Sequence, residues 1–159
     1  MFLAIAVAAL AWLALLVAAP VLPTTVAAAL YAIGSHICHQ RPDRSFHLFG
    51  AQLAVCGRCI GIYAGAAIGS VAVIAARARA ILANVPSRTL LIVGAVPTAV
   101  TLAAEWSGVW TGSNQGRAAA GVPLGFVVAL VVAQGVATLH YDGCARRRPI
   151  ESNRPPTPI

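Results

Sequence analysis

One short stretch of the chain holds most of its soft metal-binding side chains. Three of the four cysteines and three of the four histidines lie within 24 residues, between His36 and Cys59. Cys56 and Cys59 are separated by two residues, so a helix face or a tight turn lets both thiolates reach one tetrahedral ion at about 2.3 Å. The predicted ligands are Cys38, His39, Cys56 and Cys59. We predict zinc as the ion, because zinc favours thiolate and imidazole ligands.

Two other states of these cysteines are open. Cys56 and Cys59 can form a disulfide, or all three thiols can stay unpaired and buried. An oxidising compartment favours the disulfide. A Cys56–Cys59 disulfide would leave Cys38 without a pairing partner, however, which favours the metal. Ile60 follows Cys59, so the C-x-x-C-H pattern of haem attachment is absent and we predict no covalent haem.

A second group of polar residues flanks two later apolar stretches. Glu105 closes one stretch, and Asn114 and Arg117 open the next. We expect them to meet the loop from Arg41 to Arg58, because the order of the stretches returns both connections to one membrane face. Intramembrane ionisable groups are costly and often functional, but a salt bridge from Glu105 to an arginine of the loop would explain them equally well. The candidates in this polar cluster are Gln40, Arg44, Arg58, Tyr63, Glu105, Asn114 and Arg117.

The composition is that of a membrane protein. Of the 159 residues, 59% are hydrophobic and only 9% are charged, whereas a soluble domain carries about 25% charged residues. The net charge of +7 comes from arginine alone, because the chain contains no lysine. These arginines lie at the ends of apolar runs, where they can face anionic headgroups. We therefore expect contact with the lipid bilayer and exclude nucleic acid as a partner.

Four apolar stretches approach the roughly 20 residues that cross a bilayer. They are Phe2 to Ala19, Cys56 to Ala76, Leu90 to Trp106 and Ala118 to Leu139. The first lacks a positive n-region, so we interpret it as a retained helix rather than a signal peptide. Thr24 to Ile37 is short and apolar along one stripe, which favours an interfacial helix, with a fifth crossing segment as the alternative. The sequence thus predicts an all-α integral membrane protein: a bundle of about four transmembrane helices in residues 1–141 and an extended Pro/Arg-rich tail in residues 142–159.

Glycine recurs at every fourth position of the second stretch, at Gly57, Gly61, Gly65 and Gly69. Such a smooth stripe lets another helix backbone approach closely. We expect close helix packing there, and the alternative is a surface left open for a flat cofactor or a lipid.

Arginine placement predicts the orientation of the chain. One side of the membrane holds seven arginines, at positions 77, 79, 88, 146, 147, 148 and 154, and the other side holds four, at positions 41, 44, 58 and 117. Arginine is enriched on the cytoplasmic side of membrane proteins. We therefore predict a multi-pass protein of the inner (cell) membrane. The segment from His36 to Cys59, which we call the cysteine loop, would lie on the outer face and the carboxyl-terminal tail in the cytoplasm.

The residues of the cysteine loop resemble a known pattern. Cys-His-Gln-x-Pro-x-Arg-Ser-Phe from Cys38, followed by Val-Cys-x-Arg-Cys-x-Gly-Ile-Tyr-x-Gly from Val55, resembles the prokaryotic membrane-protein family catalogued as domain of unknown function 2085. The likeness runs from about Tyr31 to Gly125, and its second signature is matched by Ser113, Asn114, Arg117 and Gly121. The chain departs from it at Glu105-Trp106, where the family usually has Asp-Gly, and at Ala54, where it has proline. The resemblance implies a membrane fold and these site positions, but no established reaction.

Three functions remain open from the sequence. The first is a structural or accessory protein with a zinc site at one membrane face, as a small subunit of a larger membrane complex. The second is a membrane-embedded enzyme, metal-dependent or thiol-redox, that uses the polar cluster. A metal transporter is the third, and it is disfavoured because no ladder of polar ligands continues through the apolar stretches.

Overall fold

The computed structural model describes residues 1–74 and 85–146, with side chains described up to residue 137. Its helices are α1 (Phe2–Ala18), α2 (Thr24–Ile37), α3 (Gly57–Ile74), α4 (Ser87–Trp106) and α5 (Asn114–Arg146), and its strands are β1 (His47–Leu48) and β2 (Ala51–Gln52). Within these ranges, four helices are long and apolar enough to cross a membrane: α1 with the turn that follows it, α3, α4, and α5 as far as Ala137. The predicted all-α bundle of four transmembrane helices is confirmed.

The short helix α2 follows α1 after a break at two prolines. Pro20 lies in a 3₁₀ turn, and Pro23 immediately precedes the first residue of α2. The 14 residues of α2 extend about 21 Å at 1.5 Å per residue, less than the roughly 30 Å of a bilayer core. This length agrees with the predicted interfacial helix and not with a fifth crossing segment.

Helices α3 and α5 run parallel and make the closest contact of the bundle. A Cβ atom added at Gly61 would lie 1.9 Å from the Ala118 carbonyl oxygen, and one at Gly65 would lie 2.0 Å from that of Val122. Glycine lies on the facing helix as well, since a Cβ atom at Gly125 would lie 1.8 Å from the Ile62 oxygen. The two backbones therefore touch directly, as the stripe of glycines predicts, and that stripe is not open to a cofactor.

Helices α1 and α4 pack antiparallel against this pair. Trp12 of α1 meets Tyr63 of α3 edge to face, with ring centroids 6.2 Å apart. On the other side, Thr98 of α4 donates a hydrogen bond from Oγ1 to the Ala120 oxygen of α5 at 2.7 Å. Phe2, at the start of α1, packs beside Val73 near the end of α3. The amino terminus thus lies at the opposite end of the bundle from the cysteine loop.

Helix α5 extends into the predicted carboxyl-terminal tail. It continues to Arg146 and so includes the first five residues of that tail, from Asp142 onwards, because no proline lies between Asp142 and Pro149. Residues 147–159 of the tail, the arginines at 77 and 79 and the end of the second predicted span lie outside the described residues.

Candidate metal centre

Three thiols converge at one end of the bundle. The Sγ atoms of Cys38, Cys56 and Cys59 all lie within 4.8 Å of one another. The Cys56 and Cys59 sulfurs are 3.6 Å apart, and all three residues are free cysteines. Two thiolates on one tetrahedral zinc ion at about 2.3 Å are separated by roughly 3.8 Å. The donor set therefore fits a metal ion after a small inward movement, and in this structure Cys56 and Cys59 do not form a disulfide.

The start of α3 supplies two of these thiols. Cys56 immediately precedes the first residue of α3, and its carbonyl oxygen accepts the Ile60 N–H at 3.0 Å. Cys59 lies three residues further on, so both side chains project from one face of the first turn. The hydrogen bond with Cys59 lowers the pKa of the Cys56 thiol to about 5. Cys56 is thus prepared to act as a thiolate, which is the form that binds metals.

The end of α2 supplies the third thiol. Cys38 is buried, with 8% of its surface exposed, and its sulfur accepts the backbone N–H groups of Gln40 at 3.4 Å and Cys56 at 3.2 Å. Such contacts stabilise negative charge on the sulfur. Gln40 itself adopts a left-handed backbone conformation, with φ of 49°. The Cys38 sulfur is therefore fixed by the backbone of both segments.

Gln40 holds this loop in place through its side chain. Its Nε2 atom donates to the Tyr31 carbonyl at 2.8 Å and to the Ala54 carbonyl at 2.7 Å. Gln52 donates in turn to the Gln40 carbonyl at 2.5 Å, and the Tyr31 hydroxyl donates to the Gln52 carbonyl. Gln40 thus positions the cysteine group. The contributions of Tyr31 and Gln52 were not predicted, because neither residue type signals a site.

The structure does not bring His39 into the cysteine group. Cys38 is extended, with φ of −146° and ψ of 137°, and consecutive side chains of an extended chain point in opposite directions. Cys38 is therefore buried while His39 is exposed. His36 and His47 are exposed as well, and the group of potential ligand atoms found in the described residues contains only the three cysteines.

A cavity of about 480 Å³ opens beside the three thiols. Its lining combines these cysteines with arginines and with apolar side chains. The residues are Ile37, Cys38, His39, Gln40, Arg41, Arg44, Cys56, Arg58, Cys59, Ile62, Leu102, Trp106 and Arg117. A metal ion on three cysteines would have its fourth position on this side, where water or another ligand can enter.

Three of the arginines that line the cavity surround a buried carboxylate. The Glu105 side chain is 2% exposed, and its Oε1 atom accepts hydrogen bonds from Arg117 Nε at 2.9 Å and Arg58 Nη2 at 3.0 Å. Arg44 Nη1 lies 3.5 Å from the other carboxylate oxygen. Thr101 and Thr111 provide further acceptors, for Arg58 and Arg117 respectively.

Asn114 joins this ion cluster to the cysteine loop. Its Oδ1 atom accepts from Arg117 Nη1 at 3.0 Å, and its Nδ2 atom donates to the Ser45 carbonyl at 2.8 Å. Ser45 is fully buried. The structure therefore brings together Glu105, Asn114, Arg117 and the loop, whereas Tyr63 packs on Trp12 and does not line the cavity.

The sequence profile of the family described as predicted membrane protein, domain of unknown function 2085, matches residues 38–131. An uncharacterised protein of Methanocaldococcus jannaschii is 36% identical over 103 residues, which are 65% of this chain and 65% of that protein. An uncharacterised protein of Methanothermobacter thermautotrophicus is 52% identical over 31 residues, 20% of this chain and 28% of that protein. No solved structure matches. Because the profile covers more than half of the chain and includes all three converging cysteines, the protein belongs to this family of predicted membrane proteins.

Proposed function

We propose that this membrane protein binds one zinc ion through Cys38, Cys56 and Cys59 at one membrane face. The observation that carries the proposal is the convergence of the three sulfurs within 4.8 Å. Thiolate ligands favour zinc among the common divalent ions. The backbone N–H groups that already point at the Cys38 sulfur are the kind of outer contact that orients a metal ligand.

The bound ion would fasten two segments of the chain to each other. Cys38 ends the interfacial helix α2, whereas Cys56 and Cys59 belong to the start of α3. Binding would therefore couple the order of the loop between them to the metal. In this role the protein acts as a structural or accessory subunit of a larger membrane complex and presents the centre at the membrane surface. The group supplies three thiolates, so a fourth ligand would have to come from the cavity beside it.

Metal content tests the proposal directly. The protein is purified in detergent under reducing conditions, loaded with zinc, desalted and measured by inductively coupled plasma mass spectrometry. We expect one zinc per chain, and its loss in Cys38→Ser, Cys56→Ser and Cys59→Ser. Cys144→Ser, which changes the remaining cysteine near the end of α5, is the matched control and should keep the ion. Stoichiometric zinc in a variant that lacks all three cysteines, or none in the wild type, would refute the proposal.

A second candidate function is thiol–disulfide exchange by the Cys56–Cys59 pair. It is favoured by their 3.6 Å separation and by the low pKa of Cys56. The Cys56 thiolate would attack a partner's disulfide and release one thiol. Attack by Cys59 on the mixed disulfide would then release the second thiol and oxidise the pair. A thiol-trapping titration in a glutathione redox buffer tests this, because a pair that stays reduced at every ratio does not catalyse exchange.

A further inference from the structure

The cavity beside the cysteines carries excess positive charge. Four guanidinium groups line it, at positions 41, 44, 58 and 117. The carboxylates that pair with them in the described part of the chain are Asp43 and Glu105. Two positive charges therefore remain unbalanced. Three thiolates with one zinc ion would carry a single negative charge, so one positive charge would remain even in the metal-bound protein.

The arginines that line the cavity differ in how many of their guanidinium nitrogens donate hydrogen bonds. Arg117 uses Nε, Nη1 and Nη2 in hydrogen bonds to Glu105, Asn114 and Thr111, so its role is structural. Arg58 binds Thr101 and Glu105 through Nη2 alone. Across the described residues, the buried side-chain atoms that lack a hydrogen-bond partner are Arg44 Nε, Arg58 Nε and Glu105 Oε2. All three belong to this cluster. Arg58 Nε is an unused donor, whereas Arg44 Nε lies 3.6 Å from Asp43 Oδ2 in an ion pair that is too long for a hydrogen bond.

The geometry points to a phosphate-type oxyanion as the ligand of this cavity, bound by Arg44 and Arg58. Guanidinium groups match the oxygens of phosphate in charge and in planar geometry. A buried donor without an acceptor is unfavourable, and a phosphate oxygen would supply the missing acceptor. The volume of about 480 Å³ lies within the range of small-molecule sites.

Apolar side chains line the cavity as well. Ile37, Ile62, Leu102 and Trp106 line it, and 78% of the Trp106 surface is exposed. A cavity lined by both cationic and apolar side chains at the end of a transmembrane bundle suits a phosphate that is attached to an apolar group, such as an anionic lipid headgroup. A free phosphate presents the same oxygens to the arginines. The arginines would therefore recognise a lipid headgroup and a free phosphate through the same oxygens, and the experiment below distinguishes the two ligands.

Native mass spectrometry of the detergent-solubilised protein tests the inference. One arm titrates inorganic phosphate, and the other titrates short-chain phosphatidylglycerol, with phosphatidylcholine of equal chain length as the zwitterionic control. We expect saturable binding of one anion per chain. Binding of inorganic phosphate identifies a soluble ligand, and binding of phosphatidylglycerol alone identifies a lipid headgroup. The assignment fails if neither probe binds saturably, or if phosphatidylcholine binds as tightly as phosphatidylglycerol.

Variants connect the binding to the two arginines. Arg44→Gln changes a partly exposed side chain and should weaken binding about tenfold or more, since hydrogen bonds to charged groups are strong. Arg58→Lys keeps the charge but removes the planar fork, and should weaken binding as well. Arg88→Gln changes an exposed arginine at the other end of the bundle, and should bind as the wild type does. Unchanged affinity in Arg44→Gln would overturn the assignment.

The inference does not rest on the proposed zinc ion, because both arginines belong to the protein itself. The same titration is therefore repeated on protein stripped of metal with EDTA. We expect the anion to bind to this protein as well. If binding disappears with the metal, the anion is a metal ligand and the arginine site is wrong. If zinc is absent from the wild type and the anion still binds, only the zinc proposal fails.

Discussion

Replacing Gly65 by alanine should disrupt the contact between α3 and α5. The added Cβ atom would lie 2.0 Å from the Val122 oxygen and 2.9 Å from the Phe126 nitrogen, whereas ordinary contact begins at 3.4 Å. Both clashing atoms are backbone, so no change of side-chain conformation relieves them. The helices must separate locally by roughly 1.4 Å, which also weakens the dispersion contacts of the neighbouring turns.

The expected cost follows from two opposing effects. Overpacking of a well-packed interface costs about 1–3 kcal/mol, and it lies near the upper end here because the obstacle is backbone. Alanine stabilises a helix by up to about 1 kcal/mol relative to glycine, which offsets part of this cost. We therefore expect Gly65→Ala to lower the free energy of unfolding by about 2 kcal/mol.

Gly135→Ala provides the matched control on α5. A Cβ atom added there meets nothing within 4 Å, so this variant should be as stable as the wild type or more stable. Reversible unfolding of both variants in mixed micelles with increasing sodium dodecyl sulfate, followed by tryptophan fluorescence, gives the free energies. If Gly65→Ala proves as stable as Gly135→Ala, the direct backbone contact between α3 and α5 is incorrect.

The remaining predictions concern the ion cluster, the cysteine loop and the orientation. Glu105→Gln should destabilise the protein by about 3 kcal/mol or more, because it leaves buried arginines without their carboxylate. Asp43→Asn changes an exposed carboxylate as a control and should leave the unfolding midpoint unchanged, so equal destabilisation by the two variants would contradict the buried cluster. Gln40→Ala should weaken zinc binding 10–100-fold or thereabouts while all three ligands remain, and wild-type affinity would show that the loop needs no such support. A cysteine introduced at Arg88 should react with a membrane-impermeant maleimide only from the cytoplasmic side, and one at Phe49 only from outside; labelling of both from one side would exclude the proposed topology.

The glycine stripe shows how far local sequence determines packing. The spacing of Gly57, Gly61, Gly65 and Gly69 predicts a smooth helix face, because residues four apart lie on one side of a helix. It does not identify the partner helix. Gly125 on α5 faces this stripe, and its part in the contact follows only from the arrangement of the two helices. Pairing of helices depends on contacts between residues far apart in sequence, which periodicity does not report.

The geometry of the cysteine group follows from the sequence only in part, because sequence proximity is a poor guide to side-chain direction. The spacing of Cys56 and Cys59 fixes their common face within one helical turn. His39 is adjacent to Cys38, but the extended backbone turns it away. The β1–β2 hairpin was also missed. Its turn residues Phe49 and Gly50 have φ angles of 52° and 81°, a conformation usually marked by Asn-Gly, so the usual sequence signal was absent.

The parallel arrangement of α3 and α5 has an electrostatic consequence for the membrane face where both begin. The amino-terminal end of a helix carries roughly half a positive elementary charge from its aligned peptide dipoles. Gly57 and Asn114, the first residues of the two helices, lie beside each other, since a Cβ atom at Gly57 would be 2.8 Å from the Asn114 oxygen. The two dipole ends therefore repel each other, and negative charge between them relieves the repulsion. Cysteine thiolates, the Glu105 carboxylate and a bound anion would all act in this sense, so that occupation of the site also stabilises the contact between its two supporting helices.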